Sequence, residues 1–129
     1  MSFLSDNLFY KIISKTGVNL NSETEQDLGT TKTGKTFVWT KLILHSLSAS
    51  AASVVITLGQ SGTATDFLGA QTLTNLNAAG KIAILQPVPN TTPIVGVEYD
   101  GGTTLSLDVT TVQGGAVTAT ADVFGYYID

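Results

Sequence analysis

Apolar and polar residues alternate with a period of two along much of this chain, most clearly in Gly102 to Ile128, GTTLSLDVTTVQGGAVTATADVFGYYI. Leu105, Leu107 and Val109 fall on one parity and Thr104, Ser106, Asp108 and Thr110 on the other, the spacing of a strand with one face on a core. After Gly114-Gly115, whose freedom at positive φ suits a turn, Val117, Ala119, Ala121 and Val123 alternate with Thr118, Thr120 and Asp122. The pattern predicts a long antiparallel hairpin with one wet and one dry face.

Further strands are predicted upstream. Leu8 to Lys15 (LFYKIISK) is apolar on both parities, which implies cover from two sides. Thr16 to Thr36 reads as loop with one short strand around Gln26 to Thr31. Thr36 to Ser46 (TFVWTKLILHS) is the strongest central strand, aromatic and β-branched at its start and aliphatic at its end. Ser53 to Leu58, Asp66 to Leu73, Lys81 to Gln86 and Ile94 to Tyr99 follow, with a turn at Gly59 to Thr65 and a loop marked by Pro87, Pro89 and Pro93.

Eight or nine strands separated by turn residues predict an all-β, antiparallel two-sheet sandwich. A jelly roll of two four-stranded sheets is the first architecture this suggests, and an immunoglobulin-like sandwich the second. The organisation expected is an N-terminal arm and first strand over 1–15 and a β-sandwich over 16–129, together one domain.

Composition narrows the function. With 129 residues the chain can bury about two-thirds of its unfolded surface, so it needs no covalent staples. It has no cysteine, which removes disulfides, thiolate metal sites and a cysteine nucleophile together. A net charge of −4 with six scattered basic residues opposes a nucleic-acid binder that tracks phosphates. No run of 18 apolar residues exists to span a membrane, and the N-terminus lacks the basic segment and unbroken apolar core of a secretory signal. Synthesis in the cytoplasm is the expectation. Threonine is the commonest residue, suited to a pleated face toward water.

The candidate chemistry is sparse. Gly29 to Thr36, GTTKTGKT, fits the phosphate-binding pattern GxxxxGK[ST], but that motif requires a buried strand before it and a helix after it. Here SETEQD precedes and FVWTKLILH follows, so a turn entering a strand is the reading. His45 is the single histidine and cannot build a multi-ligand metal site alone. Glu23, Glu25 and Asp27 form an acidic loop without a defensible calcium spacing. Trp39, Tyr99, Tyr126 and Tyr127 could form a sugar-stacking platform, although aromatics of this kind serve equally in a core or a subunit interface. No cofactor, metal or catalytic group is expected.

Apolar residues on both parities recur in Leu8 to Ile13, in Phe37 to Leu44 and at Phe124, Tyr126 and Ile128, and such surfaces are normally covered. This points to the arm or to a neighbouring subunit, and hence to a homo-oligomer.

At Gly34 to Ser46 (GKTFVWTKLILHS), Leu73 to Leu85 (LTNLNAAGKIAIL) and Gly101 to Ile128 the chain resembles small β-sandwich structural proteins of tailed bacteriophages, of the head decoration, cement or head-fibre type. The resemblance covers most of residues 16–129 and rests on turn and strand patterns. It implies a non-enzymatic, jelly-roll-like subunit, often trimeric, that sits on the capsid surface of a virion, binds the major capsid protein and reinforces the shell. Burial logic adds the docking candidates Phe3, Leu4, Leu8 and Phe9 of the arm and Phe124, Tyr126 and Tyr127 of the last strand. A carbohydrate-binding or host-attachment module of the virion is the alternative.

Overall fold

The structure, a computed structural model, describes residues 11–87 and 97–128. They form nine strands: β1 (Lys11–Asn19), β2 (Glu25–Thr30), β3 (Thr36–His45), β4 (Val55–Gln60), β5 (Thr63–Thr72), β6 (Ala83–Leu85), β7 (Glu98–Tyr99), β8 (Thr104–Thr111) and β9 (Thr118–Ile128). All pairings are antiparallel. Sheet A has the order β1-β9-β3-β6, with β7 on the same side of β3 as β6, and sheet B has the order β2-β8-β4-β5. The chain is an all-β, two-sheet antiparallel sandwich, with one five-stranded and one four-stranded sheet where two of four were expected.

The pairing is nested. β1 joins β9, β2 joins β8, β3 joins β6 and β7, and β4 joins β5. The chain thus runs as one long antiparallel ribbon folded at its tip, where Ser61-Gly62 closes the β4–β5 turn and Gly62 takes a φ of 89°. Successive rungs of the ribbon fall in alternate sheets, which is the wrapping of a jelly roll.

This topology overturns the predicted closing hairpin. β8 lies in sheet B and β9 in sheet A, so their dry faces look at each other across the core instead of lying side by side. The Gly114 turn crosses between the sheets. It is anchored to the equivalent crossing before β2: the Gly114 amide donates to Asn21 Oδ1 at 2.8 Å and the Leu20 amide to the Val117 carbonyl at 2.9 Å. Alternation alone predicts two strands with dry faces, and it is silent on whether they share a sheet.

The core lies between Phe37, Trp39, Leu42, Leu44, Ala119, Ala121 and Val123 of sheet A and Ile56, Leu58, Phe67, Leu105 and Leu107 of sheet B, all buried. Phe37 and Trp39 point inward on odd positions but Leu42 and Leu44 on even ones. A β-bulge makes the change: Trp39 lies opposite Gly125 and Lys41 opposite Phe124, leaving Thr40 over, with its Oγ1 donating to the Phe124 carbonyl at 3.0 Å. One extra residue shifts the inward parity. Most of the two-sided apolar character of Phe37 to Leu44 therefore comes from this shift and needs no covering subunit.

Other boundaries also move. The loop expected over Thr16 to Thr36 contains the end of β1 and all of β2, and the flexible turn expected over Gly59 to Thr65 shrinks to two residues. β1 runs later than Leu8 to Lys15 and is an edge strand, largely exposed, with Ile12 and Ile13 half-buried against the core. Leu8 to Tyr10 lie outside the described residues, as do residues 94–96 of the strand expected to end at Tyr99.

Candidate functional site

The outer face of sheet A carries the densest set of unusual side chains. In β9 the inward residues are Val123 and Gly125, so Phe124, Tyr126 and Ile128 face outward. Phe124 sits between Lys11 of β1 and Lys41 of β3 in the ladder, and the Lys41 ammonium lies 4.9 Å from its ring centroid, a cation–π contact. Tyr126 lies opposite Val38, and Ile43 lies opposite Asp122 on one side and Ile84 of β6 on the other.

Tyr127 belongs elsewhere. Its ring tilts against buried Phe37 with centroids 5.1 Å apart, and its hydroxyl accepts the Lys32 amide at 2.9 Å. Of the docking candidates, the structure therefore brings Phe124 and Tyr126 to one face and puts Tyr127 on the other. Phe3, Leu4, Leu8 and Phe9 lie outside the described residues.

A chain of hydrogen bonds crosses the same face. Ser14 Oγ on β1 donates to Asp122 Oδ1 on β9 at 2.6 Å, and His45 Nε2 at the end of β3 lies 2.8 Å from Asp122 Oδ2. With the carboxylate ionised, Nε2 is the donor, and Nδ1 of a neutral ring then accepts from Ser46 Oγ, 2.9 Å away. The Asp122 carboxyl is half-buried, and although burial raises its pKa, the hydrogen bonds from Ser14 and His45, with the charges of His45 and Lys11, hold it below the usual carboxylate value. Sequence reasoning took His45 for a plain strand end. Its partner lies 77 residues away and is placed by the β3–β9 register, although the outward parity of Asp122 was a usable signal.

Ser46, His45 and Asp122 are the residue types of a nucleophilic triad, and Ser46 has a left-handed φ of 54°. Their arrangement nonetheless fits a strand tie. Ser46 is the histidine's own neighbour in sequence, so that contact is local, and the second carboxylate oxygen is taken by Ser14, joining β1, β9 and β3 in one row.

The principal cleft lies at the open side of the sandwich, where β5 and β6 are the sheet edges. It has a volume of about 520 Å³ and is lined by Leu68, Leu73, Leu76, Ile82, Ile84 and polar residues such as Gln71 and Asn75. The opposite side is closed by β1 and β2, where the Gln26 side chain bonds both the Asn19 amide and carbonyl and Ile13 packs against Gly29.

The remaining sequence candidates take structural places. Trp39 and Tyr99 are buried, the former stacked on Phe67, so the four-aromatic sugar platform does not form. Gly29 to Thr36 ends β2, turns and enters β3, as its context predicted. Glu25 accepts from the Gly62 amide at 3.0 Å, and Asp27 accepts from Ser106 Oγ at 3.1 Å. Among the described residues no group of three or more His, Asp or Glu side chains is placed to hold a metal, and no helix is long and apolar enough to cross a membrane.

No protein-family model matches the chain, and no curated protein matches it. Among solved structures, the capsid asymmetric unit of cyanophage Pam1 is similar, with a TM-score of 0.50 and 15% identity over 91% of this chain and 81% of that one. The likeness is one of fold. At that identity it carries no residue-level correspondence.

Proposed function

We propose that this chain is a non-enzymatic structural subunit of a bacteriophage virion, docking on the capsid surface against the major capsid protein as a decoration, cement or head-fibre component. The observation that carries the reading is the fold match to a phage capsid asymmetric unit along nearly the whole chain, and the jelly-roll wrapping of the strands agrees with it. The outer face of sheet A supplies the docking surface: Phe124 and Tyr126 stand among half-buried neighbours, with Val38 and Ile43 beside them. Phe3, Leu4, Leu8 and Phe9 complete it, and a homotrimer is the assembly proposed. Tyr127 contributes by holding the end of β9 to the core.

The direct test is co-sedimentation of the purified protein with shells assembled from the major capsid protein encoded beside it. The expected result is saturable binding that raises the melting temperature of the shells and is weakened by Phe124→Ala with Tyr126→Ala. Shells that sediment without the protein at saturating concentration overturn the reading.

A further inference from the structure

Two isoleucines at one edge of sheet A stand open to solvent: Ile82 is 60% exposed and Ile84 57%. They are conspicuous in a chain whose other aliphatic side chains are mostly buried. Ile84 lies opposite Ile43, and Ile43 is followed across the sheet by the row of Phe124, so an apolar strip runs over the outer face from β9 to the open edge at β6. Behind that edge is the cleft of about 520 Å³ between β5 and β6. At its other end the strip meets Lys11, which lies opposite Phe124 and is where the described chain begins.

Residues 1–10, MSFLSDNLFY, precede Lys11 and lie outside the described residues. They hold two apolar pairs, Phe3-Leu4 and Leu8-Phe9, separated by Ser5, Asp6 and Asn7. We propose that this segment crosses the outer face of sheet A of its own subunit from β1 to β6. Leu8 and Phe9 cover Phe124 and Ile43, and Phe3 and Leu4 cover Ile84 and the mouth of the cleft.

Length and attachment both support this occupant. From β1 to β6 there are three strand spacings, about 14 Å at roughly 4.8 Å each. The seven residues from Lys11 back to Leu4 span up to about 23 Å when extended, at roughly 3.3 Å per residue. That covers the crossing and the small offset along the strands between the Phe124 and Ile84 rows. The spacing of the two pairs also matches the strip, since Phe9 is close to β9 and Leu4 reaches β6 only after the polar triplet. Because the segment is tethered at the start of the strip, its effective local concentration is of millimolar order, which favours it over the same segment from a second copy. The inference concerns the subunit itself and stands whether or not the protein binds a capsid.

Cysteine trapping tests it cleanly, because the natural chain has no cysteine. The full-length double variant Leu4→Cys, Ile84→Cys is oxidised mildly at micromolar concentration, beside the control Leu4→Cys, Thr110→Cys, in which the partner site is exposed on sheet B. Both sites in the fold are on the surface, so neither substitution disturbs the core. The expected result is a disulfide within one chain in the first variant, forming at least about tenfold faster than in the control. A disulfide linking two chains would assign the strip to a second copy's segment and overturn the proposal. Equal rates in the two variants, or no disulfide in either, overturn it as well.

Discussion

The indole of Trp39 on β3 stacks on the ring of Phe67 on β5, with centroids 4.0 Å apart and planes 19° from parallel. The contact joins the two sheets at the centre of the core, and the indole Nε1 keeps its hydrogen bond by donating to the Lys41 carbonyl at 3.0 Å across the bulge. Trp39→Ala removes the stack, the burial and the hydrogen bond together and is expected to cost about 3–5 kcal/mol. Phe67→Ala falls in the same range. In a double-mutant cycle read by urea unfolding, the pair should show a coupling of about 0.5–1.5 kcal/mol beyond burial. Strict additivity would mean that the stack contributes nothing of its own.

Much of the fold was legible because period-two alternation is a direct consequence of strand geometry. It located β3, β4, β5, β8 and β9 and placed Phe37 and Trp39 in the core. What it missed depends on non-local pairing. Leu105 and Ala119 look alike in sequence, but they reach the core from opposite sheets, and only the nesting of the ribbon decides that. The bulge at Thr40 was visible as a change of apolar parity between Trp39 and Leu42, yet the same signal suits a strand buried on both faces. At the candidate site, the outward position of Phe124 and Tyr126 followed from alternation with Val123. The misplacement of Tyr127 came from overlooking Gly125, and the His45–Asp122 contact needed the register of two strands far apart in sequence.

The Ser14–Asp122–His45 tie makes stability fall in acid. Asp122 has its pKa lowered in the folded protein, so the folded state favours the ionised form. The stabilisation is complete above the ordinary carboxylate value near 3.8 and is lost as pH falls through the lower folded value. Asp122→Asn should therefore flatten the acid limb of a plot of unfolding free energy against pH while leaving its neutral-to-alkaline shape alone. Ser14→Ala should flatten it partly. An unchanged acid limb in Asp122→Asn would show that the tie contributes no pH dependence.

Tyr99 produces the opposite trend in alkali. Its hydroxyl donates to Asp66 Oδ1 at 2.9 Å, and the same oxygen accepts the Gln60 amide at 3.0 Å. Burial first, and then the Asp66 charge and hydrogen bond, push the phenol far above its ordinary value of 10.0. The stabilisation is complete below that value and is lost as pH rises toward the folded one. Tyr99→Phe should cost about 1–2 kcal/mol at neutral pH by taking a partner from Asp66, and it should reduce the loss of stability above the ordinary tyrosine pKa. Phenolate absorbance of the folded natural protein should leave one tyrosine untitrated until the chain unfolds.

Gly125 fixes the shape of the last strand. It lies on the inward parity between Val123 and Tyr127, where a Cβ would collide with the Val38 carbonyl and come within 2.7 Å of Phe37 Cζ. Backbone on the facing strand cannot swing away as a flexible side chain can, so even one methyl group must push β9 off β3 or displace the Phe37 ring from Tyr127. Gly125→Ala is expected to destabilise by about 1–3 kcal/mol, the range for overpacking a filled core. Gly80→Ala, at a position where a Cβ meets nothing within 4 Å, is the matched control and should stay within about 0.5 kcal/mol of the natural protein. The disturbance should also reach Phe124 and Tyr126, whose outward placement depends on the same register. The test is the urea midpoint of both variants together with the amide exchange of Phe124 to Tyr127. A Gly125→Ala midpoint equal to that of Gly80→Ala would mean that β9 has slack here and that the close approach to β3 does not set its register.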